Sequence, residues 1–496
     1  MAWKRAIPPA IFAGAAMASA ARAEHLQQSI PLDSPDTGFV NAASFVRNGE
    51  LLYIAGGFGG AVDFNPNGAP AIYTSDCPSS HGCSFVAAYD ADANLVWLDT
   101  FHGTGEDADQ QLVARSGGGV YLLLDFTADF AYEPGTTEPV YTAAGESDIA
   151  AVALGAAGEY LGSVPFGAST FASLHNARPF EAAPGVVDLA WVFRSGLDPS
   201  GVDAVISRAH VEAGVVDAPS IAIQAADAAS IAVIRDQRTD ASGRYVCGQY
   251  QGTIDFDTLH AHRVATAGAA AAFVARYDAS GALEWLATAS SPGGTGCDAI
   301  AVDAGGTLWA TGAFGGTLDI DDGAGTPTEL VSYGFEDMYL ASFDALGLLG
   351  TSAHLGGDAN TSVFPNRIEA GGDALMLVGT FDGAIANGFA GALARTSASD
   401  YGDAFVLAVA PNLATRYFGQ LTYNDGYTLV NTFALTGPMQ IEAIVGMSAP
   451  TGGNAYLDYA LPPEHALLHN DGTFASAYAR YDLDTILVDG FDTPSP

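Results

Sequence analysis

The chain repeats itself, and that limits its fold more than any other feature. Residues 53–64 read YIAGGFGGAVDF, residues 245–256 read YVCGQYQGTIDF, and residues 309–320 read WATGAFGGTLDI. A shorter copy, LVGTFDGAI, spans 377–385, and weaker ones occur at 122–130, 189–196 and 429–437. The aligned aromatic positions are Phe58, Phe126, Phe193, Tyr250, Phe314, Phe381 and Phe433, a period of about 62 residues. A second motif lies between successive copies: FVAAYDADANLVW at 85–97, FVARYDASGALEW at 273–285 and YLASFDALGLLG at 339–350. Fainter versions begin at Ile149, Ala204, Phe405 and Tyr478.

Each repeat reads as two hairpins. Alternating apolar residues flank turns rich in Asp and Gly, residues that tolerate a positive φ. Two hairpins give a four-stranded sheet, and one such sheet leaves both faces wet. Stacking the sheets around an axis buries both. The expected fold is therefore all-β, a single β-propeller of seven four-stranded blades whose terminal segments close the ring. With 59 glycines and 49% hydrophobic residues, the composition suits short strands, tight turns and a large core.

The paired motifs, of the form VTGxFxGTxDF followed by FVAxYDxxGxLxW, resemble the bacterial SBBP repeat, a family named for seven-bladed β-propellers. The best matches are 245–288, 297–350 and 51–101, and the third and seventh units depart most. The resemblance implies seven blades and export. It implies no ligand, reaction or site residue.

The start of the chain fits an export signal. Lys4 and Arg5 precede an apolar run, and Ala21-Arg22-Ala23 forms a cleavage site before Glu24. The expected organisation is a signal peptide over 1–23, a leader over 24–38, the propeller over 39–491 and a disordered tail over 492–496. The expected location is outside the cytoplasm: extracellular, cell-surface or periplasmic. No membrane span is expected, because no later run of about 18 apolar residues exists, and the protein is expected to be a monomer.

The net charge is −39, from 56 acidic and 17 basic residues, and the single lysine is Lys4. Nucleic acid and anionic lipid are excluded as partners, since binding them requires many cationic contacts. A protein or carbohydrate ligand remains.

Candidate sites are sparse. Asp63, Asn65 and Asn67 with Gly68 open like a calcium loop, but Thr74 stands where the loop needs a bidentate Glu. Asp319 and Asp321 repeat the pattern in part, and Asp255 and Asp257 give a third fragment. Turn-forming side chains at strand ends explain all three, so no cofactor is expected and calcium is kept as the candidate ion. The pairs His260 with His262 on a strand and His465 with His469 on a helix lack the zinc-protease pattern. Glu106, Asp107 and Asp109 form an acidic loop. Four cysteines suit an oxidising compartment. Cys77–Cys83 and Cys247–Cys297 are the expected pairs among three pairings.

No Gly-x-Ser-x-Gly elbow is present, and the fraction of acids makes suggestive pairs inevitable. The reading drawn from the sequence is an exported, non-enzymatic binding or scaffold propeller. The alternatives are a propeller enzyme acting on a carbohydrate or lactone, and a calcium-stabilised surface adhesin.

Overall fold

The computed structural model describes residues 26–483 except 35–37, 78–81, 106, 133–139, 168–170, 175–177, 195–201, 241, 259–261, 266–267, 324–327, 390–394, 398–401, 422, 425–426, 438–439, 449–453, 457–466 and 470–473. The proposed signal peptide and the tail lie outside these residues. Apart from one 3₁₀ turn at Val211–Ala213, the regular structure described is β-strand.

Strand pairing groups the described residues into antiparallel four-stranded units, or blades. The first comprises Phe39–Asn48, Leu51–Gly59, Cys83–Tyr89 and Leu95–Gly103. The second comprises Asp107–Ala114, Val120–Phe126, Asp148–Leu154 and Tyr160–Phe166. In the third, the first strand is broken into Ala172–Ser173 and Phe180–Ala183, before Val186–Arg194, Val202–His210 and Ile221–Ala225. The fourth is Ile231–Asp240, Gly243–Gln251, Ala271–Asp278 and Leu283–Ser290. The fifth is Ala299–Val302, Leu308–Phe314, Asp337–Phe343 and Leu349–Gly357. The sixth is Ser362–Gly371, Ala374–Asp382, Asp403–Val409 and Thr415–Gln420. The seventh takes Tyr427–Gly437, Gln440–Ser448 and Phe474–Asp482 from the end of the chain and its outer strand, Leu26–Leu32, from the beginning.

That last pairing closes a propeller. Ile30 lies opposite Tyr478 and Leu32 opposite Ser476. The segment expected to be a leader over 24–38 thus contains a working strand, and the propeller begins before residue 39. Its alternation is short and interrupted by Pro31, which hides it in the sequence; an outer strand accommodates a residue without an N–H.

The core is a ring of apolar clusters, each drawn from two successive blades. One joins blades 1 and 2 around Tyr53, Phe101 and Leu122, and the next joins blades 2 and 3 around Leu123, Val164 and Leu189. The series continues around Ile206 and Phe273, around Cys247 and Phe314, around Leu340 and Phe381, and around Val406 and Val445. It returns to the start where Ile444 and Tyr478 of blade 7 meet Val40 and Phe85 of blade 1. Both faces of every sheet are covered, as stacking requires.

The repeated glycines have two separate tasks. A Cβ on Gly56, Gly248, Gly312 or Gly379 would lie 2.1, 1.9, 1.9 or 2.2 Å from a backbone carbonyl oxygen, respectively. Three of these four face an irregularity in the first strand of their blade, at Ala42/Ser44, Ile234/Asp236 and Pro365/Arg367. Four residues on, Gly60, Gly252, Gly316 and Gly383 all have φ between +74° and +80° and turn the chain out of the second strand.

The aromatic positions hold in six blades. Phe58, Phe126, Phe193, Tyr250, Phe314 and Phe381 all lie on second strands. Phe433 does not: it sits on the first strand of blade 7. Val445 faces Val430 beside the Val430/Thr432 bulge, as Gly56 faces Ala42 beside its own, so Met447 occupies the place of Phe58. The seventh copy escapes the motif because Val445 and Met447 stand at the positions of Gly56 and Phe58.

A third hairpin, between the second and third strands, was not anticipated. In blade 4 it is Thr253–Asp257 with His262–Ala265, and it pairs with the outer strand of blade 3 through Gln224 and Asp255. The hairpins of blades 2, 5 and 6 reach the preceding outer strand in the same way. The DF element of the motif belongs to this hairpin. Phe64 packs between Phe58 and Phe85 at centroid distances of 5.3 and 4.9 Å, and Phe256 between Tyr250 and Phe273 at 5.3 and 5.0 Å.

Candidate binding site at the propeller axis

The first strands of the blades line the axis, and there the sequence hides its charged centre. Arg178 precedes Phe180–Ala183 of blade 3; Asp236 and Arg238 lie on the first strand of blade 4, and Arg367 and Glu369 on that of blade 6. The Arg178 guanidinium pairs with Glu369, spanning from blade 3 to blade 6, and its Nη2 donates to the Ile368 carbonyl at 3.2 Å. Arg178 Nε lies 3.4 Å from Asp236 Oδ1. Arg238 Nη1 is 2.9 Å from the same oxygen, and its Nη2 is 3.5 Å from Glu369 Oε1. Blade 5 contributes the Ile300 N–H, which donates to Asp236 Oδ2 at 2.9 Å.

Asp236 is fully buried, whereas Arg178, Arg238 and Glu369 keep side-chain exposures of 23%, 19% and 25%. Burial alone would raise the Asp236 pKa, but Arg178, Arg238 and Arg367 outweigh it and hold the carboxylate below its usual range. Burial, followed by repulsion from Arg178, pulls Arg367 down to about 10. Burial and Arg178 lower Arg238 as well. Arg178 is instead raised: burial would lower it, but Asp236 and Glu369 outweigh that, and Arg367 also acts on the buried Asp298 carboxylate. An incoming anion would offset the repulsion of Arg178 on Arg238 and Arg367.

The network extends outward. Gln237 Nε2 donates to the Arg178 carbonyl at 2.7 Å, and its Oε1 accepts from Arg244 Nη1 at 2.9 Å; Arg244 and Arg208 both pair with Asp188. Two buried amide atoms on first strands, Asn366 Oδ1 and Gln111 Nε2, have no hydrogen-bond partner. Phe364 of blade 6 is 40% exposed on the same strand as Arg367.

A second polar feature lies on blade 2. Asp109 occupies the irregular stretch of its first strand at φ 52° and faces Asp125, a buried residue that sequence reasoning missed. Burial, then the Asp109 charge, raises the Asp125 carboxyl well above the carboxylate range. Its Oδ1 accepts the Leu174 N–H at 3.0 Å. Glu106 and the Asp107 side chain lie outside the described residues.

The calcium candidates fall on third hairpins of three different blades, and the structure does not bring the three sets together. Asp63 Oδ1 accepts the N–H groups of Asn65 and Ala71, both at 2.9 Å. Asn65 Oδ1 accepts from Leu95 N at 3.0 Å, and Asn67 Nδ2 donates to the Ser29 carbonyl at 2.9 Å. Asp255 and Asp257 are buried on the blade 4 hairpin; Asp319 and Asp321 are exposed on that of blade 5, where Asp321 Oδ1 accepts from Gly323 N at 2.8 Å.

Of the expected disulfides, Cys77–Cys83 is formed. Cys247–Cys297 is not: both are free, buried thiols, with the Cys247 sulfur donating to the Cys297 carbonyl. Burial pushes the Cys247 thiol well up. His469 ends a short strand, Leu467–His469, rather than a helix. His260, Glu464 and His465 lie outside the described residues.

No family model matches this chain, and no curated protein is similar at a significant level. The SBBP resemblance therefore rests on the motifs quoted above. Among solved structures, polysaccharide lyase Uly1 aligns over 93% of this chain and 100% of its own at 11% identity, with a TM-score of 0.44. A PL25 ulvan lyase aligns over 93% of this chain and 87% of its own at 10% identity, with a TM-score of 0.30. At this level of likeness nothing about the site is carried over.

Proposed function

We propose that the protein is an exported β-propeller that binds an acidic saccharide at its axis. The observation that carries this reading is the arginine cluster. In a chain of net charge −39, three of its few cations converge from blades 3, 4 and 6, where Arg178 repels the other two. Guanidinium forks suit carboxylate and sulfate groups. Phe364, exposed on the same strand as Arg367, offers an apolar face to a sugar ring. A second reading, an enzyme acting on the same class of ligand, is favoured by Asp125, whose carboxyl burial and Asp109 raise well above the usual carboxylate range, the direction a general acid needs.

Calorimetric titration with uronate or sulfated oligosaccharides and with neutral ones of equal length tests the binding. Acidic ligands should bind, more weakly at higher salt. Arg238→Ala or Arg367→Ala should weaken binding about tenfold or more. Equal binding of neutral and acidic ligands, or wild-type affinity in both variants, would refute it. Release of new chain ends, lost in Asp125→Asn, would favour the enzyme.

A further inference from the structure

Blade 1 carries a second constellation, away from the axis. Asp76, Cys77, Cys83 and His102 each present a donor atom within 4.8 Å of the other three. His102 Nδ1 lies 2.5 Å from Asp76 Oδ1, 3.7 Å from Cys83 Sγ and 3.9 Å from Cys77 Sγ. Its other ring nitrogen, Nε2, is 3.0 Å from the Thr100 hydroxyl, two residues away on the same strand. Ser75 Oγ lies 3.3 Å from Cys83 Sγ.

We propose that these four residues form a tetrahedral site for a zinc-like divalent cation when the Cys77–Cys83 bond is reduced. Two thiolates, one imidazole and one carboxylate are a donor set that such an ion takes in four-coordinate geometry. The surroundings are those of a metal site. On metal binding the hydrogen that Nδ1 shares with Asp76 would pass to Nε2, which would donate it to the Thr100 hydroxyl at 3.0 Å; such outer partners commonly orient a ligating histidine. Cys83 is buried, while the Asp76 side chain is 62% exposed, so one side of the site opens to solvent. The strongly anionic surface concentrates cations around it.

The site has two exclusive states. A dithiol reductant supplies two electrons and two protons, opens the disulfide, and leaves as its own disulfide. Binding of the divalent ion then releases the two thiol protons to solvent. A disulfide oxidant reverses the exchange and expels the ion.

Cobalt(II) is the probe. The full exported chain is titrated anaerobically, once oxidised and once after reduction by a phosphine that is then removed. The reduced protein should take one equivalent, with intense visible bands of four-coordinate cobalt and thiolate charge transfer in the near ultraviolet. The oxidised protein, which still holds the Cys247 and Cys297 thiols, should show neither. His102→Ala should abolish the four-coordinate spectrum, and Thr100→Val, which keeps all four ligands, should weaken binding about 10–100-fold. Zinc should displace the cobalt. Absence of charge transfer in the reduced protein, a spectrum unchanged in His102→Ala, or loss of the β circular dichroism on reduction would each overturn the proposal.

Discussion

At the scale of single residues, Asp125 makes the sharpest energetic statement. Burial and then Asp109 raise its folded pKa above the unfolded value of about 3.9. The folded state therefore holds the proton more tightly than the unfolded state does. Stability should fall as pH rises from about 4 through the folded pKa, then level off. Asp125→Asn keeps an oxygen to accept the Leu174 N–H and removes the titration. It should raise the melting temperature at pH 7 and leave it unchanged near pH 3. A variant less stable than wild type at pH 7 would mean that the ionised carboxylate, not the acid, is the native form.

At the scale of elements, the paired glycines of blade 1 separate two effects usually confounded. A Cβ at Gly56 would sit 2.1 Å from the Asn41 carbonyl oxygen, whereas one at Gly57 meets nothing closer than 3.9 Å. Gly56→Ala should therefore cost about 1–3 kcal/mol through forced movement of the first strand. Gly57→Ala should be neutral or stabilise by up to about 1 kcal/mol, because it reduces unfolded-chain freedom. Urea denaturation of the two variants checks this, and equal destabilisation would refute the close-approach explanation. The same element shows why the Asp-x-Asn pattern resembles a calcium loop. Asp63 closes the turn of a hairpin by accepting two backbone N–H groups, a task that calls for the same residue types.

At the scale of the whole molecule, the ring depends on its first strand. Leu26–Leu32 covers the open edge of Phe474–Asp482 and buries Ile30 and Leu32 completely. A chain beginning at residue 35 should lose about 3–6 kcal/mol from those two side chains. It should also expose a bare strand edge that pairs with other copies. Thermal melting and light scattering test this, and an unchanged melting temperature in a soluble monomer would show that the ring closes without the strand.

How much of this was legible follows from the range of each interaction. Strand alternation, Asp-Gly turns and the Gly-x-aromatic spacing are local, and local rules suffice to read them. They placed the third strands beginning near Phe85, Phe273 and Phe405, the second strands of six blades, and the Cys77–Cys83 bridge, whose partners lie six residues apart. Blade 7 was misread at Phe433 because its second strand departs from the motif, and the hairpin was missed because its strands are only a few residues long. The axis cluster could not be read at all. Arg178 and Glu369 are 191 residues apart and belong to no shared motif. In an acid-rich chain no single carboxylate stands out, and an arginine shows its purpose only beside its partners. The sequence by itself determined the repeated sheet and which side chains fill the spaces between sheets, because strand period and turn chemistry act over a few residues. Only the tertiary structure decided which charges meet on the axis and which strand closes the ring, because both depend on how the blades are arranged around it.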